Sequence, residues 1–324
     1  LDQALHSAGT IVTAGDDMAV DLSIIVVTYN GLDITLKTLE AYEKACSADQ
    51  RHRYEIIVVD NASQDGVDDA VAEKYPQVRL IRNSENLGFS KASNIGFEAS
   101  EGRYCLFSNA DIEVTEETLP TLIALMDESS HVGACTPFLR LVTTGGIDWG
   151  AHRGFPTPWA AFTYFARLAR LFQGSRQLSK VFGQYHLLDR DLTVPHEVDV
   201  IRGGFFFVRR DVFVLARKWD EDYFMFGEDI DLCYQIKKMG YRIMFYPQAT
   251  ALHYHGVTTG LKSYSQGLSY IDPEVKKKVY HSFFDTMKLF YTKNYETEYS
   301  GLVRWLVFLA IELKRKLGSK HSIV

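Results

Sequence analysis

From residue 22 onward the apolar positions come in short, β-branched blocks separated by polar turns. Leu22 to Val27 is apolar apart from Ser23 and ends in Thr28-Tyr29-Asn30-Gly31, where Asn-Gly marks a sharp turn. A strand without polar alternation is buried on both faces, as in a parallel sheet covered by helices. Over Asp33–Ala45 the spacing changes: Leu36, Leu39 and Tyr42 recur at helical intervals. The alternation then repeats, with strands predicted over Tyr54–Asp60, Val78–Ile81 and Tyr104–Phe107, and helices over Val67–Tyr75, Ser90–Ser100 and Glu116–Met126. Further on, Val200–Val208 and Tyr241–Tyr246, closed by Pro247, read as strands, Glu228–Met239 as a helix, and the chain from about 273 as helical. This order predicts an α/β fold with a mostly parallel sheet. Ligands of such sheets bind beyond the carboxyl ends of the strands. The clusters Thr28-Tyr29-Asn30, Asp60-Asn61-Ala62-Ser63 and Asn109-Ala110-Asp111 should therefore converge on one crevice.

Three organisational units follow: a flexible arm over 1–20, a catalytic domain over 21–260 that contains an insertion at 143–200, and a helical extension over 261–324. The insertion is set apart by Gly145-Gly146, Pro156, Pro158 and Pro195, and by a basic apolar stretch carrying Arg167 and Arg170. Met18 reads either as a start preceded by added residues or as part of an ordinary arm, and the arm lacks the basic and apolar blocks of a secretory signal. The 324 residues carry 35 Lys and Arg against 41 Asp and Glu, a net charge of −6, which argues against nucleic-acid binding through general basicity. Cys46, Cys105, Cys135 and Cys233 show no zinc-like spacing, and a reduced, cytoplasmic setting is expected. No apolar run is long enough to span a bilayer.

Several acids occupy places where chemistry is expected. Asp111, at a strand end, is suited to hold a divalent cation shared with phosphates, or else to cap the following helix. Asp60 could accept a hydrogen bond from a pyrimidine ring N–H, or close an Asx-turn. Glu228, Asp229 and Asp231 open a helix after Tyr223-Phe224-Met225-Phe226-Gly227. The macrodipole alone would favour one or two of these acids, while an apolar wall would raise a carboxylate's proton affinity and make it a usable base. His253 and His255, two apart after a strand pattern, could bind Mn2+ or Mg2+ with Asp111, or be structural. No nucleophile elbow, P-loop, zinc-protease or dinucleotide motif stands where its chemistry needs it.

Taken in order, the segments over 21–257 resemble the family-2 glycosyltransferases of GT-A fold, especially their rhamnosyltransferase-like branch. The matching text is LSIIVVTYN at 22–30, IVVDNAS at 57–63, NLGF at 86–89, Asn109-Ala110-Asp111, Gly203-Gly204-Phe205, FGEDIDL at 226–232, and His253. The resemblance implies a GT-A architecture, Rossmann-like, with a helical carboxyl-terminal extension. It also implies an inverting transfer of a sugar from a nucleotide-diphosphate donor, dTDP-L-rhamnose in particular, with UDP-sugars also open. The acceptor would be a hydroxyl of a glycan or lipid-linked acceptor in cell-surface polysaccharide synthesis. Thr28, Tyr29, Asn30 and Asp60 would hold base and ribose. Asn109, Ala110 and Asp111 would form the Asp-x-Asp element, with Asn109 in place of its first acid. Asp111 and His253 would ligate Mg2+ or Mn2+, Gly203 and Gly204 would line the sugar and acceptor pocket, and Asp229 would be the general base with Glu228 in reserve. A sugar-phosphate nucleotidyltransferase and a non-catalytic glycan-binding protein of the same fold are the competing readings.

The segment 301–318 combines an apolar centre with Arg304, Trp305 and Lys314-Arg315-Lys316. It reads as a helix packed on the domain, as a homodimer contact, or as a peripheral anchor on the inner face of the cell membrane.

Overall fold

A computed structural model describes residues 19–172, 175–254 and 273–318. Most of the predicted arm, His255 and the first part of the extension lie outside the described residues. The chain order is β1 (Leu22–Thr28), α1 (Leu32–Ala48), β2 (Tyr54–Asp60), α2 (Val67–Lys74), β3 (Arg79–Arg82), α3 (Phe89–Glu98), β4 (Tyr104–Asn109), β5 (Ile112–Val114), α4 (Thr118–Asp127), β6 (Val132–Leu141), α5 (Pro158–Phe165), α6 (Leu168–Leu171), α7 (Arg176–Phe182), β7 (His196–Glu197), β8 (Phe205–Arg209), α8 (Arg210–Leu215), α9 (Glu228–Lys238), β9 (Arg242–His253), α10 (Pro273–Asn294) and α11 (Gly301–Gly318).

The sheet runs β3-β2-β1-β4-β8-β6-β9-β5, with β7 paired to β9. Strands β3, β2, β1 and β4 are mutually parallel. β8 enters antiparallel between β4 and β6, and β5 lies antiparallel on β9. Because successive side chains of a strand point to opposite faces, β1 sends Ile24 and Val26 into a core with Leu39 and Tyr42 of α1 and Leu122 of α4. It sends Ile25 into the opposite core with Ala92 of α3, Phe213 of α8 and Leu232 of α9. Helices thus cover both faces, which is why this strand carries no polar alternation.

Register decides where the strand ends fall. Thr28 pairs with Asp60 and Val27 with Asn109, so the three polar clusters reach one edge at one level. The sheet differs from the sequence expectation at several places: β7 adds a short strand inside the insertion, and β8 begins at Phe205, not at Val200. β5 and β6 are strands where none was expected, and β9 continues past Pro247 to His253. Proline has no amide hydrogen for the ladder, and the β6 register accordingly shifts from Pro137 opposite Tyr246 to Phe138 opposite Thr250, after which pairing resumes.

Candidate active site

At the end of β1 the Thr28 hydroxyl meets that of Thr35 at 2.7 Å, and Asn30 takes a left-handed φ of 50°. That conformation lets the Asn30 amide donate to Ser63 Oγ (2.9 Å) while its side-chain oxygen accepts from the Gln64 amide (2.7 Å). The β1 and β2 loops are thereby tied together, and Tyr29 of the first is half-buried. Asp60, buried at the end of β2, accepts from the Ser63 amide, and burial raises its carboxyl's proton affinity. The Asp60 carboxylate thus closes the Asx-turn expected of it.

Asn61, which the sequence reading left without a role, organises the next loop. Its oxygen accepts from the Leu87 amide and its nitrogen donates to Asn86 Oδ1 and the Gly88 carbonyl. Gly88 in turn touches the aromatic segment ahead of α9: a Cβ there would lie 2.3 Å from the Phe224 carbonyl oxygen, and the Phe89 amide donates to that same oxygen. The NLGF segment is thus a clamp on the turn that presents Glu228 and Asp229. In that turn Phe226 and Gly227 both have positive φ, 71° and 85°. A bulky residue in that region costs on the order of 1–3 kcal/mol, and here the conformation starts α9 with two acids facing the crevice.

The second half of the site comes from the strands missing from the sequence reading. β5–β9 pairing sets Ile112 against His253 and brings the preceding Asp111 beside that ring, Oδ1 to Nε2 at 3.4 Å. Both side chains are buried. The other ring nitrogen, Nδ1, lies 2.7 Å from the Asp148 carboxylate, which also accepts from Arg202 Nη1 at 2.9 Å. Burial disfavours charge on His253, but the flanking Asp111 and Asp148 carboxylates outweigh it and raise the ring's proton affinity. A neutral ring with its proton on Nδ1, donated to Asp148, would present Nε2 to a metal beside the Asp111 carboxylate. This carboxylate–histidine arrangement orients ligands in metal sites. Among the described residues no group of three or more such side chains is placed to enclose an ion. An oxygen and a nitrogen donor at a strand end instead suit a cation that completes its shell with phosphate and water.

Gly203 and Gly204 join the two halves. A Cβ on Gly204 would lie 2.6 Å from the Asn109 side-chain nitrogen, and the Asn109 amide donates to the Gly204 carbonyl. The Gly203 amide donates to Asp229 Oδ2 (3.3 Å), and Glu228 Oε1 lies 3.4 Å from where a Gly203 Cβ would sit. Ala110 faces the core, and its carbonyl accepts from Thr38. Its place in the element is therefore one of backbone position.

The adjacent acids of α9 have different environments. Asp229 is ion-paired with Arg153 (2.6 Å). Glu228 is buried with its Oε2 unpartnered, and burial together with the Asp229 charge pushes its carboxyl up to about 8. Asp148, Arg153 and Arg202 carried no periodicity or motif that would mark them in the sequence; Asp148 and Arg153 lie in the irregular insertion.

The Glu228 environment has a measurable consequence. Unfolded, this carboxyl loses its proton near 4.5, whereas folded it retains it to about 8. Across that window the native state binds more protons, so this group's contribution to stability falls as pH rises. Glu228→Gln should therefore raise the melting temperature more at pH 8 than at pH 5. A shift equal at both pH values would show that Glu228 is not held protonated.

A Rossmann-like sheet with an acid just past the carboxyl end of β4, a histidine delivered to it by β9 and an acid pair across a glycine bridge has the layout of a glycosyltransferase of GT-A fold. Residues 23–213 match the glycosyl transferase family 2 model, and the chain belongs to that family. It is similar to the N-acetylglucosaminyl-diphospho-decaprenol L-rhamnosyltransferase of Mycobacterium tuberculosis, 24% identical over 259 residues, covering 74% of this chain and 78% of that protein. It also matches the rhamnosyltransferase WbbL of Escherichia coli K12, 26% identical over 245 residues, 71% of this chain and 82% of that one. Among solved structures, the mannosyltransferase PcManGT from Pyrobaculum calidifontis in complex with GDP-Man and Mn2+ superposes with a TM-score of 0.51 at 17% identity, covering 93% of this chain and 89% of that one. That likeness shows the fold.

Proposed function

We propose that this glycosyltransferase moves L-rhamnose from dTDP-L-rhamnose to a hydroxyl of a glycan or lipid-linked acceptor, with inversion at the anomeric carbon. The observation that carries the reading is the convergence of Asp111 and His253 on one side of Gly203-Gly204 with Glu228 and Asp229 on the other. The preference for a rhamnosyl donor rests on the two rhamnosyltransferase relatives, and a lipid-linked acceptor on the mycobacterial one.

Thr28, Tyr29, Asn30 and Asp60 would grip the base and ribose, and the Asn109-Ala110-Asp111 turn would face the diphosphate. A Mg2+ or Mn2+ ion bound by Asp111 and His253 would supply neutralisation of the charge that builds on the departing diphosphate. Asp229 takes the proton of the acceptor hydroxyl as its oxygen bonds to the anomeric carbon; the bond from that carbon to the phosphate oxygen breaks, and nucleoside diphosphate leaves. Arg153 aims Asp229 through their ion pair, and Glu228, holding its proton, lets the pair avoid two adjacent buried charges.

Calorimetry with dTDP-L-rhamnose, UDP-sugars and GDP-mannose, with and without Mn2+ or Mg2+, tests this. The expected result is metal-dependent binding with the thymidine donor tightest. A UDP-sugar bound tighter would overturn the donor assignment, and no metal-dependent binding of any of them would overturn the site.

A further inference from the structure

Residues 158–182 contain four basic side chains and no acidic one, in a chain whose net charge is −6. Helix α5 in this stretch turns Trp159, Phe162 and Phe165 outward, exposed by 44, 57 and 39%. They recur every three residues, so they share one side of the helix. Leu171, the last residue of α6, is 74% exposed. Helix α11 repeats the pattern: Leu302, Trp305, Leu306, Leu309 and Leu313 form a solvent-facing stripe at helical spacing. On its other side Val307 and Phe308 pack against the aromatic cluster of α9 and α10, and Ile311 is buried. An ordinary surface helix buries its single apolar stripe. α11 carries two, and only one of them has a protein partner among the described residues.

These segments, far apart in sequence, meet in space. Lys314 Nζ of α11 lies 3.4 Å from the centroid of the Phe165 ring. Burial and the nearby Arg167 together push the Lys314 ammonium down to about 8. Two cations beside exposed aromatic rings form a place where an anionic group would be welcome. Exposed apolar patches of this kind mark protein or membrane contact, and the charge decides between them. A two-fold pairing of this face with a second copy would set the same cations against one another, whereas phosphates at a lipid surface would neutralise them. No helix among the described residues is long and apolar enough to cross a membrane. A basic helix with tryptophan and leucine on its open side instead suits the interfacial plane.

We propose that the outward faces of α5–α7 and α11 form one platform that lies on a bilayer carrying anionic phospholipids, with the apolar side chains at the acyl boundary and Arg167, Arg170, Lys180 and Lys314 at the phosphates. The platform is built onto the site. Just ahead of α5, Arg153 holds Asp229, and the Tyr291 hydroxyl of α10 donates to the Pro156 carbonyl (3.1 Å). Docking would thus set the acid pair at a fixed place relative to the lipid surface. The inference concerns a surface and does not depend on the transfer chemistry.

Flotation of the full chain with phosphatidylcholine vesicles, with and without about one-third phosphatidylglycerol, tests it. The wild type is expected to float with the anionic vesicles and to lose binding as salt is raised. The combined variant Arg167→Gln, Arg170→Gln, Lys180→Gln, Lys314→Gln should lower partitioning by at least about 10²-fold, since each basic side chain near an anionic surface contributes roughly a 5-fold factor. Phe162→Ser and Leu306→Ser, one on each segment, should each weaken binding. All these side chains lie outside the catalytic crevice, so melting temperature and nucleoside diphosphate binding are expected to stay at wild-type values, which separates failure of this surface from failure of the site. The proposal is overturned if the wild type ignores anionic vesicles, if neutral vesicles bind it equally well, if either single-segment variant binds as well as wild type, or if the chain is a dimer in solution that Leu306→Ser splits.

Discussion

Replacing Asp229 with asparagine is expected to lower sugar transfer by about 10²–10⁴-fold, the usual cost of losing a general base, while donor affinity stays near wild type. The change removes one carboxylate oxygen from the acceptor side of Gly203 and leaves the Asp111–His253 side untouched. It also strands Arg153, whose guanidinium is ion-paired with Asp229, so melting should be followed in parallel. The companion variant Glu228→Gln separates the two acids. If Asp229 is the base, Glu228→Gln retains most activity, because the native Glu228 already holds its proton below about pH 8. If activity instead collapses in Glu228→Gln and survives in Asp229→Asn, the roles are reversed.

The second large effect is expected at the metal-facing side. Asp111→Ala should weaken nucleoside diphosphate binding strongly in Mn2+ or Mg2+ and little in chelator, because it removes the anionic ligand at the strand end. His253→Ala should show the same dependence more mildly. Asp148→Asn is the informative control, since Asp148 would touch neither metal nor donor and would reach the site through the hydrogen bond it accepts from His253 Nδ1, beside its ion pair with Arg202. Loss of such an outer partner costs about 10–100-fold in metal affinity, read by Mn2+ titration without any donor. Asp111 precedes β5 and does not cap α4, so equal losses with and without metal would make its role that of a structural partner of His253, and unchanged Mn2+ affinity in Asp148→Asn would remove the histidine relay.

The half of the molecule that could be read from sequence is the half governed by local pattern. β1, β2 and β4 announce themselves because a strand buried on both faces admits few polar residues, and the carboxyl-end clusters follow from the rule that α/β crevices form there. Asp60, Asp111, Glu228 and Asp229 are visible for that reason, each next to a boundary that turn residues mark. β5 is only three residues long and β6 contains Pro137, so neither carries a clear period. The extension of β9 beyond Pro247 depends on a bulge over residues 247–249 that lets Thr250 rejoin Phe138 of β6, a pairing that the β9 sequence alone does not encode.

What the sequence alone determined is the parallel α/β framework, the strand-end acids and the family to which their order belongs, because these rest on contacts between near neighbours and on spacing within single elements. The tertiary structure alone decided the meeting of Asp111 with His253 through β5–β9 pairing, the Asp148 and Arg153 partners drawn from the irregular insertion, and the contact of Phe165 with Lys314. Each joins residues between 76 and 149 positions apart, where no local period can report the approach and only packing of the whole chain brings the groups within reach.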